Sequence, residues 1–383
     1  MKCLTHIGCF LVLFYSSSLS AQEESRKSEF RGQVIGWTNL NLDKPIQNQW
    51  GVRYIPSLTV GTPLNQTWRL DAEMSLNAYG STLFSEESTK TSGALKPYRL
   101  WLRLSTDQFE FRAGLQKINF GSATMIRPLM WFDRIDPRDP LQLTDGVYAA
   151  LARYYFLNNT NVWFWFLYGN NEPKGWELLP ASKKQPEYGG RIQLPLSTGE
   201  IALSYHHRQV GPDSLRFQGI TGFYSRQPED RLGLDGKWDV GPGIWFEEVL
   251  KHRYNNVLLP DWENYLTLGL DYTFGIGNGL SATVEHFILS SSEELPGISS
   301  STNFTATTLT YPPGMIDMLS AIVYYNWEEQ SLYRFISWQR TWDKWTFYLL
   351  GYWNPGKIAL YRNLEGNYLF AGKGLQVMFV FNH

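Results

Sequence analysis

The chain has 383 residues, and its 34 lysines and arginines nearly balance its 36 aspartates and glutamates, which leaves a formal net charge of −2. No basic patch stands out, so a nucleic-acid partner is not expected. Aromatic residues make up 16% of the chain, yet no segment beyond the N-terminus approaches the roughly 18 consecutive apolar residues of a membrane-spanning helix, which excludes a helical membrane protein.

The N-terminus has the pattern of an export signal. Lys2 gives a positive start, residues 9–15 are a short apolar run, and residues 16–21 are mostly small or polar. The run is far shorter than the roughly 20 residues of a helical anchor, and small residues at its end suit signal-peptide cleavage. We therefore predict a signal peptide at residues 1–21 and one domain at residues 22–383. Both cysteines lie in the signal, so the domain has no cysteine for a disulfide or a metal site.

From residue 30 onward, apolar and polar side chains alternate with a period of two, which indicates extended strands. The clearest single strand covers residues 68–78. Residues 264–289 contain two such strands on either side of a turn at residues 275–279. Two strands of about 10 residues joined by a short turn are the repeating unit of a membrane β-barrel.

Alternation alone does not distinguish a membrane barrel from a soluble sandwich, but the lengths of the connections do. Short turns are predicted at residues 61–65, 105–108, 157–161, 196–200, 240–243, 275–279 and 327–330. Long loops are predicted at residues 81–93, 121–145, 170–185, 211–229 and 290–316. The separation into short and long connections is typical of bacterial barrels with short periplasmic turns and long extracellular loops.

We therefore predict an all-β fold, a transmembrane antiparallel β-barrel of 18 strands, with 16 strands as the nearest alternative. The last strands are predicted near residues 318–326, 332–340, 345–353, 358–364 and 374–382. The strand at residues 358–364 has a weak pattern, but without it the total would be odd, which bacterial barrels avoid. A barrel of this width has room for an aqueous lumen.

Residues 119–146 interrupt the alternation. The segment contains three prolines, none of which can donate a hydrogen bond to a sheet, together with several charges of both signs. A long loop of this composition commonly carries function.

The strand end and loop around this segment resemble the corresponding region of porin-like outer-membrane proteins, with alginate-export-type and carbohydrate-porin barrels as the nearest families. The resemblance rests on Gly114, Gln116, Gly121 and the residues 136–139, Asp-Pro-Arg-Asp. It implies a loop that folds into the barrel and narrows a channel. Under this hypothesis the constriction is formed or supported by Arg127, Asp133, Arg134, Asp136, Arg138 and Asp139. In the alternative interpretation, Arg–Asp pairs merely hold an extracellular loop together.

The polar face of the predicted strands supplies further charges for a lumen. They are Arg69, Asp71, Glu73, Arg103, Glu110, Arg112, Arg191, Arg208, Arg231, Asp235, Lys237, Asp239, Asp271 and Glu285. Both signs occur, so strong anion or cation selectivity is not predicted. For any single one of these residues, a generic hydrated wall is the simpler interpretation. Residues 163–166, Trp-Phe-Trp-Phe, are either part of an interfacial aromatic girdle or a platform on which sugars stack.

Signals for enzyme chemistry are weak. No nucleophile elbow or zinc-binding helix motif occurs, and His206, His207 and His252 lack partners at metal-ligand spacing. The pairs Asp133/Asp136 and Glu247/Glu248 could act as acid and base, but nothing in the sequence matches their environments. We expect no enzyme activity, no cofactor and no metal.

The sequence therefore predicts a protein of the cell outer membrane that acts as a passive channel for small polar solutes, with saccharides and organic anions as candidates. Two alternatives remain open: an outer-membrane partner of a lipid or polymer export system, and a surface adhesin or receptor. The expected partners are outer-membrane lipid and the solute, and a homo-oligomer is compatible with this prediction.

Overall fold

The computed structural model describes residues 27–86, 88–211, 215–217, 220–222, 226–254, 259–294, 297–356 and 370–383. The predicted signal peptide therefore lies outside the described residues. The strands, in chain order, are β1 Lys27–Asn41, β2 Gln47–Pro63, β3 Arg69–Ser85, β4 Thr89–Ser105, β5 Phe109–Gln116, β6 Val147–Tyr155, β7 Asn161–Leu167, β8 Glu187–Leu196, β9 Gly199–Val210, β10 Leu215–Phe217, β11 Ile220–Gly222, β12 Gln227–Asp239, β13 Gly243–Arg253, β14 Trp262–Phe274, β15 Leu280–Ser292, β16 Ser300–Tyr311, β17 Asp317–Asn326, β18 Ser331–Thr341, β19 Trp345–Trp353 and β20 Lys373–Asn382. Within the described ranges, no helix is long and apolar enough to span a membrane.

Eighteen of these strands form one closed antiparallel sheet. Each pairs with its neighbour in the chain, except that β9 pairs with β12 across the separate two-stranded hairpin of β10 and β11. The sheet closes because β20 also pairs with β1, and the backbone groups of Gly32 and His383 exchange two hydrogen bonds of 3.0 Å at this seam. The predicted all-β barrel of 18 strands is confirmed.

The membership of the 18 strands differs from the prediction. Residues 290–316 were predicted to be a long loop, but they contain β16, which pairs with β15 and β17. Threonines occupy both faces of β16, so its sequence shows no contrast between apolar and polar positions. The predicted strand at residues 358–364 lies outside the described residues, and β19 pairs directly with β20. The prediction that residues 81–93 are a loop was also wrong, because β3 and β4 extend through most of this range.

The connections separate onto two ends of the barrel. At the turn end, where β1 begins and β20 ends, the connections are residues 64–68, 106–108, 156–160, 197–198, 240–242, 275–279, 312–316 and 342–344. The opposite end, here called the loop end, carries the connections at residues 117–146, 168–186, 211–226 and 354–372 together with several short ones. The turn at residues 327–330 lies at the loop end and not with the short turns as predicted, because the unrecognised β16 shifts the order by one strand.

Side chains alternate across the wall of the barrel. In β13, for example, Glu247, Val249 and Lys251 are buried inside, whereas Phe246 and Leu250 face outward. The outward positions of most strands are apolar and exposed, among them Leu100, Leu102, Phe164, Phe166, Leu203 and Leu232.

The hydrophobic core lies inside the barrel, because the connection at residues 117–146 folds into the lumen. Its residues Ile118, Phe120, Ile126, Leu129 and Trp131 are buried against inward side chains of the wall. The wall contributes residues from β6, β7 and β13 to β19 to the same cluster.

Candidate functional site in the barrel lumen

The carboxylate of Glu285 on β15 holds the lumen loop, residues 117–146, against the wall. It accepts the backbone N–H groups of Thr124 at 2.6 Å, Met125 at 3.0 Å and Ile126 at 2.7 Å. The hydroxyl of Thr124 and the indole N–H of Trp245 donate to the same carboxylate, each at 3.1 Å. Five donors surround a side chain that is fully buried, which is a favourable arrangement for a carboxylate.

A second wall carboxylate, Glu247 on β13, binds the loop in the same way. It accepts the backbone N–H groups of Ala123 at 2.7 Å and Leu129 at 3.1 Å. Gly121 has a φ of 100°, and a Cβ atom there would overlap the Glu247 carboxylate. A glycine is therefore required where the loop turns past this side chain. Glu247 was predicted only as half of an acid–base pair with Glu248, but the two residues face opposite sides of the wall.

The six charged residues predicted to form the constriction divide into separate groups. Arg127 and Asp133 form a buried ion pair at 3.0 Å inside the loop, and Arg127 also donates to the side chain of Asn119 at 3.1 Å. Arg134 is exposed and donates to the backbone carbonyl of Pro173 in the next long connection. These three residues hold the loop together, and they are not among the residues that line the two cavities described below.

The other three, Asp136, Arg138 and Asp139, lie beside open lumen. Arg138 pairs with Asp136 at 2.7 Å. Asp139 accepts the backbone N–H groups of Leu141 at 3.0 Å and Leu143 at 3.3 Å. Burial raises the pKa of Asp139 above its ordinary value of 3.8, although these two hydrogen bonds oppose the shift.

The connection at residues 168–186, here called the second loop, is attached to the wall by ion pairs. Glu177 pairs with Arg208 on β9 at 2.9 Å and with Arg231 on β12 at 2.7 Å. Burial alone would raise the pKa of Glu177, but the two arginines lower it below its ordinary value of 4.5. Trp176 joins the two loops, because its indole N–H donates to the backbone carbonyl of Arg127 at 2.8 Å.

Glu177 is the loop's contribution to a larger buried cluster of charges on the wall. Glu229 lies within 2.7 Å of Arg208 and Arg231 and within 2.9 Å of Arg253. Glu263 pairs with Arg253 at 2.8 Å and with Lys251 at 3.0 Å. The sequence placed Arg208 and Arg231 on the polar face but missed this cluster. Alternation identifies the inward face of a strand and says nothing about a loop that covers it.

The tryptophans at residues 163–166 also serve to hold the lumen loop. Trp165 faces inward, is only 2% exposed, and packs against Phe120 and Phe132 of the loop. Its indole N–H donates to His206 at 3.1 Å. Phe164 and Phe166 face outward and are exposed, as expected of an outer girdle. The inward tryptophan Trp165 is buried, so it offers no open platform for stacking.

The remaining predicted lumen residues all occupy inward positions of their strands. Asp71 pairs with Arg69 at 2.8 Å and Arg103 at 2.9 Å. Other inward side chains contact their neighbours on the wall. Glu73 accepts from Ser57 at 2.9 Å, Arg112 pairs with Glu110 at 2.9 Å, and Arg191 pairs with Asp235 at 2.5 Å. The ammonium group of Lys237 lies 5.8 Å from the centre of the Trp245 ring. Asp271 lies beside Gly243, and Asp239 is exposed at the turn end of β12. Asp235 and Glu285 thus belong to the filled part of the barrel.

Among the residues that the structure describes, two cavities border the lumen loop, and they share Asp139 and Pro140. The amide cavity has a volume of about 630 Å³ and lies between the loop and the wall formed by β20 and β1 to β4. Its polar lining is Asn39, Asn41, Gln47, Gln49, Arg53, Lys90, Asp136, Asp139 and Gln376. The hydroxyl cavity has a volume of about 340 Å³ and lies between the loop and β15 to β19. Its polar lining is Thr124, Arg138, Asp139, Gln142, Thr283, Thr308, Ser320, Ser337, Gln339 and Tyr348.

No protein-family model and no curated protein matches this chain. Among solved structures, OccK5 (OpdH) of Pseudomonas aeruginosa is 9% identical over 93% of this chain and 97% of its own, with a TM-score of 0.56. OmpT of Vibrio cholerae, described as an outer membrane protein in trimer form, is 11% identical over 94% of this chain and 100% of its own, with a TM-score of 0.54.

These similarities, together with the closed sheet, define the class: the chain has the fold of a porin-like outer-membrane β-barrel. The fold implied by the resemblance at residues 114–139 is confirmed. The similarity is one of fold, and it does not extend to the alginate-export or carbohydrate subtype.

Proposed function

We propose that the protein is an outer-membrane channel through which small polar solutes diffuse passively. The observation that carries the proposal is the open lumen beside Asp139 and Pro140, lined by amides on one side and hydroxyls on the other. The apolar outward side chains suit contact with lipid.

The lining favours small solutes of mixed hydrogen-bonding character. Carboxamides such as Gln49 and Asn41 both donate and accept hydrogen bonds, which suits the hydroxyl groups of saccharides. Arg53 and Lys90 in the same cavity suit organic anions, and Asp136 and Asp139 face them. These two solute classes are the candidates, and the balance of charges supports weak ion selectivity.

A channel is favoured over a partner of polymer export because the two loops fill the half of the barrel lined by β6 to β14. A catalytic role is not proposed. Of the carboxylates that could act as acid and base, Asp133 and Asp136 are each paired with an arginine, and Glu247 binds loop amides. The trimer form of the Vibrio cholerae relative supports a homo-oligomer for this chain.

Planar-bilayer recordings of the detergent-purified protein test the proposal. We expect stable ohmic conductance steps with weak selectivity between potassium and chloride. If the protein is inserted and folded but the bilayer shows no conductance steps, the channel proposal is wrong, and an export partner or a receptor is favoured. Recovery of the protein from the soluble periplasmic fraction without detergent would retire the membrane location itself.

A further inference from the structure

In the middle of the outer surface of the barrel, one group of neighbouring described residues is polar where most outward positions are apolar. It lies on β13 to β16 and is here called the polar face. Its members are Glu248, Asn264, His286, Asn303, Thr305 and Thr307. Their outward direction follows from their neighbours, because Glu247, Glu285 and Ala306 are each fully buried inside the barrel.

Two hydrogen-bonded pairs organise the polar face. Asn264 donates its side-chain amide to the Glu248 carboxylate at 3.0 Å, from β14 to β13. The Nδ1 atom of His286 on β15 lies 3.0 Å from the hydroxyl of Thr305 on β16, and the indole N–H of Trp327 donates to the same hydroxyl at 2.9 Å. Within the part of the chain that the structure describes, neither Glu248 nor His286 has an ion-pair partner.

A charged or strongly polar side chain that faces hydrocarbon costs free energy, and this cost rises toward the middle of the membrane. Glu248 lies in the middle of β13, between the outward residues Phe246 and Leu250. His286 lies in the middle of β15, between Val284 and Ile288. Outward positions in the middle of β4, β7 and β9 are instead Leu100, Phe164 and Leu203. The polar face is therefore suited to contact with another protein surface.

We propose that the polar face is the contact between copies of this chain in the membrane, with Glu248 of one copy against His286 of the next. The inference rests on the membrane location proposed above. The two residues lie on different strands of one face, β13 and β15, with β14 between them. A rotationally symmetric ring brings two different flanks of the same face together at every contact. A carboxylate and an imidazole satisfy each other there by a charge-assisted hydrogen bond.

The side chains around the pair suit a second copy better than a lipid tail. Asn303, Thr305 and Thr307 are all short. Asn303 and Thr305 already bond within the chain, to Glu328 and to His286 and Trp327, and the hydroxyl of Thr307 can hydrogen-bond to a neighbouring backbone or side chain. Short side chains also allow two sheets in a membrane to approach closely, as small residues do between membrane helices.

Cysteine cross-linking in isolated outer membranes tests the contact. Both natural cysteines, Cys3 and Cys9, lie in the predicted signal peptide. The double variant Glu248→Cys/His286→Cys should form disulfide-linked multimers under oxidising conditions, whereas either single variant alone should form none. An intrachain bond is ruled out because β13 and β15 are about 9.5 Å apart, two strand spacings, beyond the reach of a disulfide.

A second variant measures the same contact without a cross-link. Glu248→Leu/His286→Leu places apolar side chains in lipid, so the barrel should fold and migrate as a heat-modifiable band, but its mass in mild detergent should fall to that of a monomer. The matched control is Asn48→Leu, an outward polar position on β2 on a different part of the wall, which should leave the oligomer intact.

Three results with the variants would overturn the inference: no cross-link in the double cysteine variant, efficient cross-linking of Glu248→Cys with itself, or an unchanged oligomer in the double leucine variant. A wild-type monomer that retains bound lipid in native mass spectrometry would assign the face to lipid and also overturn it. None of these measurements involves conduction, so failure of the oligomer contact and failure of the channel proposal are distinguishable.

Discussion

Thr124 donates both its backbone N–H and its hydroxyl to one carboxylate oxygen of Glu285, a residue 161 positions later in the chain. The lumen loop is thus fixed in place by a wall side chain that presents acceptors to otherwise unpaired backbone donors. Because buried backbone N–H groups must find acceptors, the position of the loop depends on this carboxylate.

We therefore expect Glu285→Gln to loosen the lumen loop. A glutamine keeps one acceptor oxygen but replaces the other with an amide that cannot accept from Met125 or Ile126. Losing a hydrogen bond to a charged group costs about 2 kcal/mol, so the free energy of unfolding should fall by at least this order. Single-channel recordings should show larger or noisier conductance steps.

The control for this substitution is Glu73→Gln, also an inward wall residue, whose carboxylate accepts from the hydroxyl of Ser57 and contacts no loop backbone. Its conductance should match the wild type. Identical conductance and melting temperature in Glu285→Gln would contradict the role assigned to Glu285.

A second prediction concerns the second loop and Glu177. Glu177→Gln removes the negative charge between Arg208 and Arg231, and breaking a buried ion pair costs about 3–5 kcal/mol. The second loop should then separate from the wall, and the uncovered arginines should shift the reversal potential in a salt gradient toward anion preference. Glu172→Gln, an exposed change in the same loop, is the control. A reversal potential equal in both variants would speak against the attachment.

The pH dependence of the lumen should follow Asp139. Burial raises its pKa, so on acidification from neutral pH it becomes neutral before a carboxyl at the ordinary value of 3.8. Any cation preference that Asp139 provides is present above the raised pKa and lost as the pH falls through it. Reversal potentials measured from neutral pH down to 3.8 should show this step, and Asp139→Asn should lack it. A step of the same size in the variant would assign the titration to another group.

The path that ions take through the barrel can be tested by introducing tryptophan separately at two adjacent positions. Gln49 faces the amide cavity, whereas Asn48 faces outward. Gln49→Trp should lower the single-channel conductance severalfold because an indole occupies a large share of the 630 Å³ cavity. Asn48→Trp should leave the conductance unchanged. Equal conductance in both variants would show that the amide cavity is not the path.

The period of two predicted the direction of individual wall side chains in the strands that were recognised. Asp71 and Glu285 could be assigned from the period of two alone, because the pleat of a strand fixes direction. The sequence could not show that Glu285 binds a loop, since the alternation of a strand contains no information on what approaches it. β16 was missed because threonine occupies both of its faces and removes the contrast on which strand prediction depends. Three of the six predicted constriction residues stabilise the loops: Arg127 forms an ion pair with Asp133, and Arg134 donates a hydrogen bond to the backbone carbonyl of Pro173.

The hydrogen bonds between Gly32 and His383 join strands from opposite ends of the polypeptide. Until β20 has arrived, β1 and β19 are both open edges with unpaired backbone groups, and such edges promote aggregation. The sheet must therefore be closed when it inserts into a bilayer, because the backbone N–H and C=O groups of an open edge have no hydrogen-bond partners in hydrocarbon. A shortened polypeptide that lacks only β20 should therefore be degraded in the periplasm and should not accumulate as a leaky, partly formed cylinder.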